Sequence, residues 1–92
     1  MTRIKIKKLV WDEWNIKHIE KHNATVREAE EAVKNFITHI KGKNGRYIAM
    51  GRSGTRLMSL VVRRISAGVY YPVSVRDSSR KERKEIYEKE KV

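Results

Sequence analysis

The chain opens on an alternation of apolar and basic positions. Ile4 and Ile6 stand between basic residues, and Leu9, Val10 and Trp11 follow. A period of two predicts a strand with one covered face over Arg3 to Trp11. Asp12 then offers a side-chain cap to a short helix from Glu13 to His22, free of glycine and proline, with Trp14, Ile16 and Ile19 as its apolar positions. Thr25 with Glu28 three residues later forms a capping box. Behind it Val26, Ala29, Ala32, Val33 and Phe36 fall on one stripe of a second helix.

Beyond Phe36 the period returns to two. Lys43-Asn44-Gly45 carries the Asn-Gly step of a hairpin turn, so strands flank it, Phe36 to Ile40 before and Arg46 to Arg52 after. Ser53-Gly54 and Ser66-Ala67-Gly68 punctuate two further strands, Arg56 to Ile65 and Val69 to Arg76. Ser79 with Glu82 is a second capping box, opening a last helix whose large apolar residues are Ile86 and Tyr87. The order β-α-α-β-β-β-β-α predicts a single α+β domain over residues 1–92. Its sheet is largely antiparallel, with two helices in the N-terminal half, one at the C-terminus, and all helices packed on one side.

Charge narrows the class of partner. Lys and Arg number 22 against 11 Asp and Glu, a formal net charge of +11, which points to a polyanion. Without cysteine there is no disulfide framework, thiolate metal site or cysteine nucleophile, and the cytoplasm is the default expectation. No apolar run reaches the length of a signal peptide or a membrane span, so no membrane partner is expected.

The densest candidate chemistry is at the end of the last strand, where Arg76 leads into Arg80 and Arg83 at a helix start. Guanidinium forks match phosphate oxygens, and a helix N-terminus favours the same anion. Arg52 and Arg46 extend the set of candidate nucleic-acid contacts. Cleaving RNA without a metal needs a base for the 2′-hydroxyl, cations for the phosphorane and an acid for the leaving 5′-oxygen. Arg52, Arg76 and Arg80 are candidates for the charge, and Lys21 or His22 for the proton. Trp14, His18 and His22 share one helical face, but no cysteine supports a zinc site, His39 is on another element and the Glu of His-Glu-x-x-His is absent. No metal or cofactor is expected. Gly51-Arg52-Ser53-Gly54 lacks the Lys-Ser/Thr of a P-loop and fits a hairpin turn.

Several segments together resemble the BrnT family of type II toxins, within the RelE-like ribonuclease fold group. They are Trp11-Asp12 opening a helix, Lys21-His22 closing it, Glu28-Ala29-Glu30-Glu31-Ala32, Tyr47-Ile48-Ala49-Met50-Gly51-Arg52, and Val73-Ser74-Val75-Arg76 leading to Arg80-Lys81-Glu82-Arg83 and Tyr87. The chain departs from the usual pattern in Asn23, where glycine commonly follows the Lys-His pair, and in a Trp-Asp to Lys-His spacing one residue shorter. The resemblance implies a small prokaryotic endoribonuclease with RNA as substrate. It further implies a cognate antitoxin encoded nearby and operator DNA bound only through the antitoxin complex. Two other classes stay open on charge and on the sparse last helix, a non-catalytic nucleic-acid-binding module and an inactive toxin-like protein-interaction domain.

Overall fold

The structure is a computed structural model that describes residues 4–91. In chain order its elements are β1 (Lys8–Leu9), α1 (Glu13–Glu20), α2 (Val26–Lys34), β2 (Phe36–Lys41), β3 (Tyr47–Ser53), β4 (Arg56–Ser66), β5 (Val69–Asp77) and α3 (Arg80–Glu90). The strands form one sheet in the order β1-β5-β4-β3-β2. β2 through β5 make an antiparallel meander, and β1 joins β5 in parallel. The Asn-Gly turn forms as expected. Asn44 and Gly45 both take left-handed φ angles, 55° and 74°, and the Arg46 N–H donates to the Lys43 carbonyl at 3.1 Å, the geometry that suits the twist of a tight hairpin. No helix among the described residues is long and apolar enough to cross a membrane.

The strand expected over Arg3 to Trp11 is cut to two residues. Arg3 lies outside the described residues, and the N–H groups of Lys7 and Lys8 both donate to the Gly68 carbonyl, at 2.8 and 3.0 Å. Two donors on one acceptor break the regular ladder, so pairing proper covers Lys8–Leu9 against Val69–Tyr70.

Helix α1 is turned by one position from the apolar pattern. Trp14 and Ile16 are 57% and 37% exposed, while Asn15 and Ile19 are buried. The cause is a capping box with asparagine at its third position. Asp12 accepts the Asn15 N–H at 2.9 Å, and Asn15 Oδ1 accepts the Asp12 N–H at 2.8 Å. The Asn15 amide then donates to the carbonyls of Val10 (2.9 Å) and Pro72 (3.2 Å). A buried amide with all of these partners costs little and ties α1 to β5.

The expectation that every helix packs on one side is corrected. Ala49, Leu60 and Val75 stand abreast across β3, β4 and β5 and share a core with Ile19 of α1 and Ala29 and Ala32 of α2. Met50, Ser59 and Arg76 form the neighbouring row and so face the other way. There α3 covers them, with Ile86 and Met50 fully buried but outside the main core. The middle strands are apolar on both faces, which leaves room for a thin second layer.

Gly51 sets how closely α2 approaches. A methyl group there would lie 1.9 Å from the Ala32 carbonyl oxygen and 2.9 Å from that of Asn35, so helix backbone rests directly on the strand. Gly51→Ala is therefore expected to cost about 3 kcal/mol or more, read from urea unfolding. A loss below 1 kcal/mol, on the order expected for an exposed site, would show that α2 can move away freely.

Candidate nucleic-acid interface

β5 leaves the sheet at Asp77, and Ser78 and Ser79 turn the chain into α3. The second predicted capping box forms there. Ser79 Oγ accepts the Glu82 N–H at 3.2 Å, and the Glu82 carboxylate accepts the Ser79 N–H at 2.8 Å. The same carboxylate receives both Nη groups of Arg76, at 2.6 and 2.8 Å. Glu82 is 5% exposed. Burial alone would raise its pKa, but the Arg76 fork, the Ser79 N–H and the Ser59 hydroxyl outweigh that and hold it at about 2. The Arg76 guanidinium is in turn stabilised by Glu82. Beside this pair the Ser59 and Ser78 hydroxyls, both buried, hydrogen-bond at 2.8 Å.

Arg76 thus stands at the junction anticipated from the sequence with much of its fork already engaged. One Nη1 hydrogen reaches the Asp77 carbonyl at 3.3 Å, and Nε carries no partner among the described residues. Arg52 lies on the same sheet face and is bound by Glu90 at the far end of α3 through both Nη groups, with Nη2 to Oε1 at 3.1 Å. Both side chains of that pair are about one-third exposed, so the link is the more easily opened. Arg80 and Arg83 are exposed. Arg80 has no ion-pair partner among the described residues, while Arg83 makes a long bond of 3.4 Å to the Ser78 carbonyl and its charge helps to lower the pKa of Asp77. With Lys81, Lys84, Tyr87 and one carboxylate, Glu88, they line a shallow depression along α3.

The remaining candidates lie elsewhere. Lys21 and His22 are exposed just past α1, which packs on the opposite sheet face. The ring of His18 stacks on Trp14 at 4.9 Å and meets His22 edge-on at 5.6 Å. Among the described residues no contact joins Lys21 or His22 to the arginines. Arg46 precedes β3, at the opposite end of that strand from Arg52. No three His, Cys, Asp or Glu among the described residues are grouped to hold a metal ion.

Sequence reasoning passed over Arg56. Its Nε donates to Asp77 at 2.5 Å and its Nη1 to Glu28 at 2.7 Å, and hydrogen bonds to Arg56 hold both carboxyls below their usual range. Glu28 is the capping glutamate of α2, so both such glutamates receive an arginine. A capping glutamate is held in place by its own helix and is a ready-made acceptor, which is the signal that could have found both pairs.

A carboxyl whose pKa falls from 4.5 to about 2 on folding stabilises the fold above pH 4.5, and that contribution is lost as pH falls towards 2. Between pH 5 and pH 2 the wild type is expected to lose on the order of 2 kcal/mol more than Glu82→Gln. Denaturant titrations of both proteins across that range check it, and parallel acid limbs would remove Glu82 from the account.

The sequence matches no protein-family model and no curated protein. Among solved structures it is similar to the Brucella abortus ribonuclease toxin BrnT, known from a 1.1 Å crystal structure. The TM-score is 0.63 at 21% identity, over 79% of this chain and 97% of that one. This chain has the BrnT-like α+β fold.

Proposed function

We propose that the protein is an endoribonuclease acting without a metal, the toxin of a type II pair held in check by an antitoxin encoded nearby and reaching operator DNA only through that complex. The observation that carries this reading is the depression along α3 lined by Arg80, Lys81, Arg83 and Lys84 together with Tyr87 and Glu88, on a fold shared with a ribonuclease toxin. The +11 charge supports an RNA substrate through phosphate neutralisation.

Arg80 and Arg83 take the scissile phosphate, with the free Nε–H of Arg76 as a third donor. Glu82 holds Arg76 and the first turn of α3 in one orientation, so the guanidiniums meet the phosphorane without first being ordered. Tyr87 is 54% exposed and offers both a ring on which a base can stack and a hydroxyl within the same depression. Arg52 joins along the RNA path when Glu90 releases it, and Arg46 contacts the strand at the far end of β3. Lys21 and His22 are on the other face, so proton transfer at this phosphate falls to Tyr87 or Lys84, and the Lys-His pair serves RNA that passes α1.

The distance of the histidines from the arginines favours a second reading, a nucleic-acid-binding module without cleavage. Single-turnover cleavage of ribosome-free and ribosome-bound RNA separates the two. The nuclease reading expects Arg80→Ala/Arg83→Ala to lower the cleavage rate by about 100-fold or more while RNA affinity falls by less than about tenfold. A wild type that leaves both RNA forms intact would overturn it in favour of the module.

A further inference from the structure

A second cluster of cations lies away from the arginine junction, at the end of the sheet where β4 turns into β5. Here a cleft of ≈ 270 Å³ is bounded by Lys5, Lys7, Arg64, Tyr47, Tyr70 and the Gly68 turn, with no carboxylate in its lining. Arg64 and Tyr70 stand opposite each other in the β4–β5 ladder and so project to the same face. Tyr47 meets Tyr70 edge-on at 6.5 Å between ring centres. The turn carries Gly68 at a φ of +77°, and a methyl group there would touch the Lys7 side chain at 3.0 Å, so the aliphatic stem of Lys7 is packed against the turn.

Two features suit this cleft to an anionic ligand. Lys5, Lys7 and Arg64, like most cations of the chain, have no ion-pair partner among the described residues, but these three line one cleft that no carboxylate lines. Tyr70 is 4% exposed as a residue and lines the cleft, and its hydroxyl has no hydrogen-bond partner among the described residues yet is not a buried atom, so it is open to solvent as an available donor.

We infer that this cleft binds the terminal phosphate of a nucleotide, with the Tyr70 hydroxyl and the three cations as donors and Tyr47 beside the sugar and base. A phosphate monoester carries about −1.5 to −2 charges and three acceptor oxygens, which matches three cations and a hydroxyl better than the single charge and two oxygens of an acidic side chain. The cleft is near the lower limit of small-molecule sites, about 300 Å³, which admits one nucleotide and excludes a helix. The ligand class rests on the RNA reading above, and its natural source is the 5′-phosphate end of an RNA or a free nucleotide. From Tyr70 to Arg76 the strand advances roughly 20 Å, so the cleft acts independently of the phosphate that is cut.

The test is binding at fixed ionic strength of one short oligoribonucleotide with a 5′-phosphate or a 5′-hydroxyl, and of adenosine monophosphate, followed by amide shifts of Ala67 and Gly68. The 5′-phosphate form is expected to bind at least about fivefold tighter, with saturable shifts at these amides. Lys7→Ala/Arg64→Ala should abolish that difference and Tyr70→Phe, which keeps the ring, should reduce it. Arg80→Ala/Arg83→Ala should leave it intact, so a failure of the cleavage reading would not touch this one. Saturation by adenosine monophosphate without preference for the phosphorylated end would support the site and assign it to free nucleotides. Equal binding of all ligands, a difference that survives Lys7→Ala/Arg64→Ala, or saturation only by a glutamate-rich peptide would overturn the inference.

Discussion

The buried contact between Glu82 and Arg76 is the constraint on which the layout of the junction depends. α3 contributes one fully buried apolar side chain, Ile86. Burying one such side chain gives roughly 1.5–3 kcal/mol, while ordering each backbone residue costs about 1–2 kcal/mol, so eleven residues of helix need more than that contact. Glu82 supplies the difference by serving three structures at once, the cap of α3, the fork of Arg76 and the polar floor formed with Ser59. Removing its charge would leave a partly buried guanidinium without its acceptor, which costs more than the pair contributes when intact.

The same device recurs at α2. Glu28 closes its own capping box with Thr25 and also takes Arg56, which reaches on to Asp77. Two helix N-termini are thereby pinned to the β4–β5 region, one on each face of the sheet, and Asp77 and Ser78 stand between them. Residues 76 to 83 are consequently framed on both sides, and Arg80 and Arg83 project from a first turn that cannot fray without breaking Glu82 away. Such support behind a binding group is what makes its geometry reproducible.

Much of this was legible in the sequence because it is local. The boxes Thr25–Glu28 and Ser79–Glu82, the Asn44-Gly45 turn and the two strands that flank it all depend on residues within a few positions of one another, and each formed where its pattern lay, whereas the alternation over Arg3 to Trp11 gave only the two-residue β1. The rotation of α1 was hidden because Asn15 reads as a surface residue until Val10 and Pro72 present carbonyls to it. The second layer was hidden too, since Met50 next to Ala49 signals a strand covered on both faces but does not say by what. Of the candidate site, the placing of Arg76 at a strand end and of Arg80 and Arg83 at a helix start was legible in the sequence. What chain order could not convey is which cations were already spent. Arg52 and Glu90 are 38 residues apart, and Lys21-His22 fell on the opposite face because α1 and α3 sandwich the sheet.

That distinction between spent and free cations changes what the net charge means. Glu28, Asp77, Glu82 and Glu90 are consumed by Arg52, Arg56 and Arg76 within the fold, so these carboxylates do little to repel an approaching polyanion. Arg80 and Arg83 at one end of the sheet, and Lys5, Lys7 and Arg64 at the other, form no ion pair among the described residues, Arg83 meeting only the longer-range field of Asp77. Charges about 20 Å apart along a strand are separated by more than the roughly 8 Å screening length of physiological salt. The two groups therefore act as separate points of attachment, and a flexible anionic strand can hold one while exploring the other. In such an arrangement the excess of positive charge gives more than general adhesion, because the internal ion pairs have already fixed where on the surface it is available.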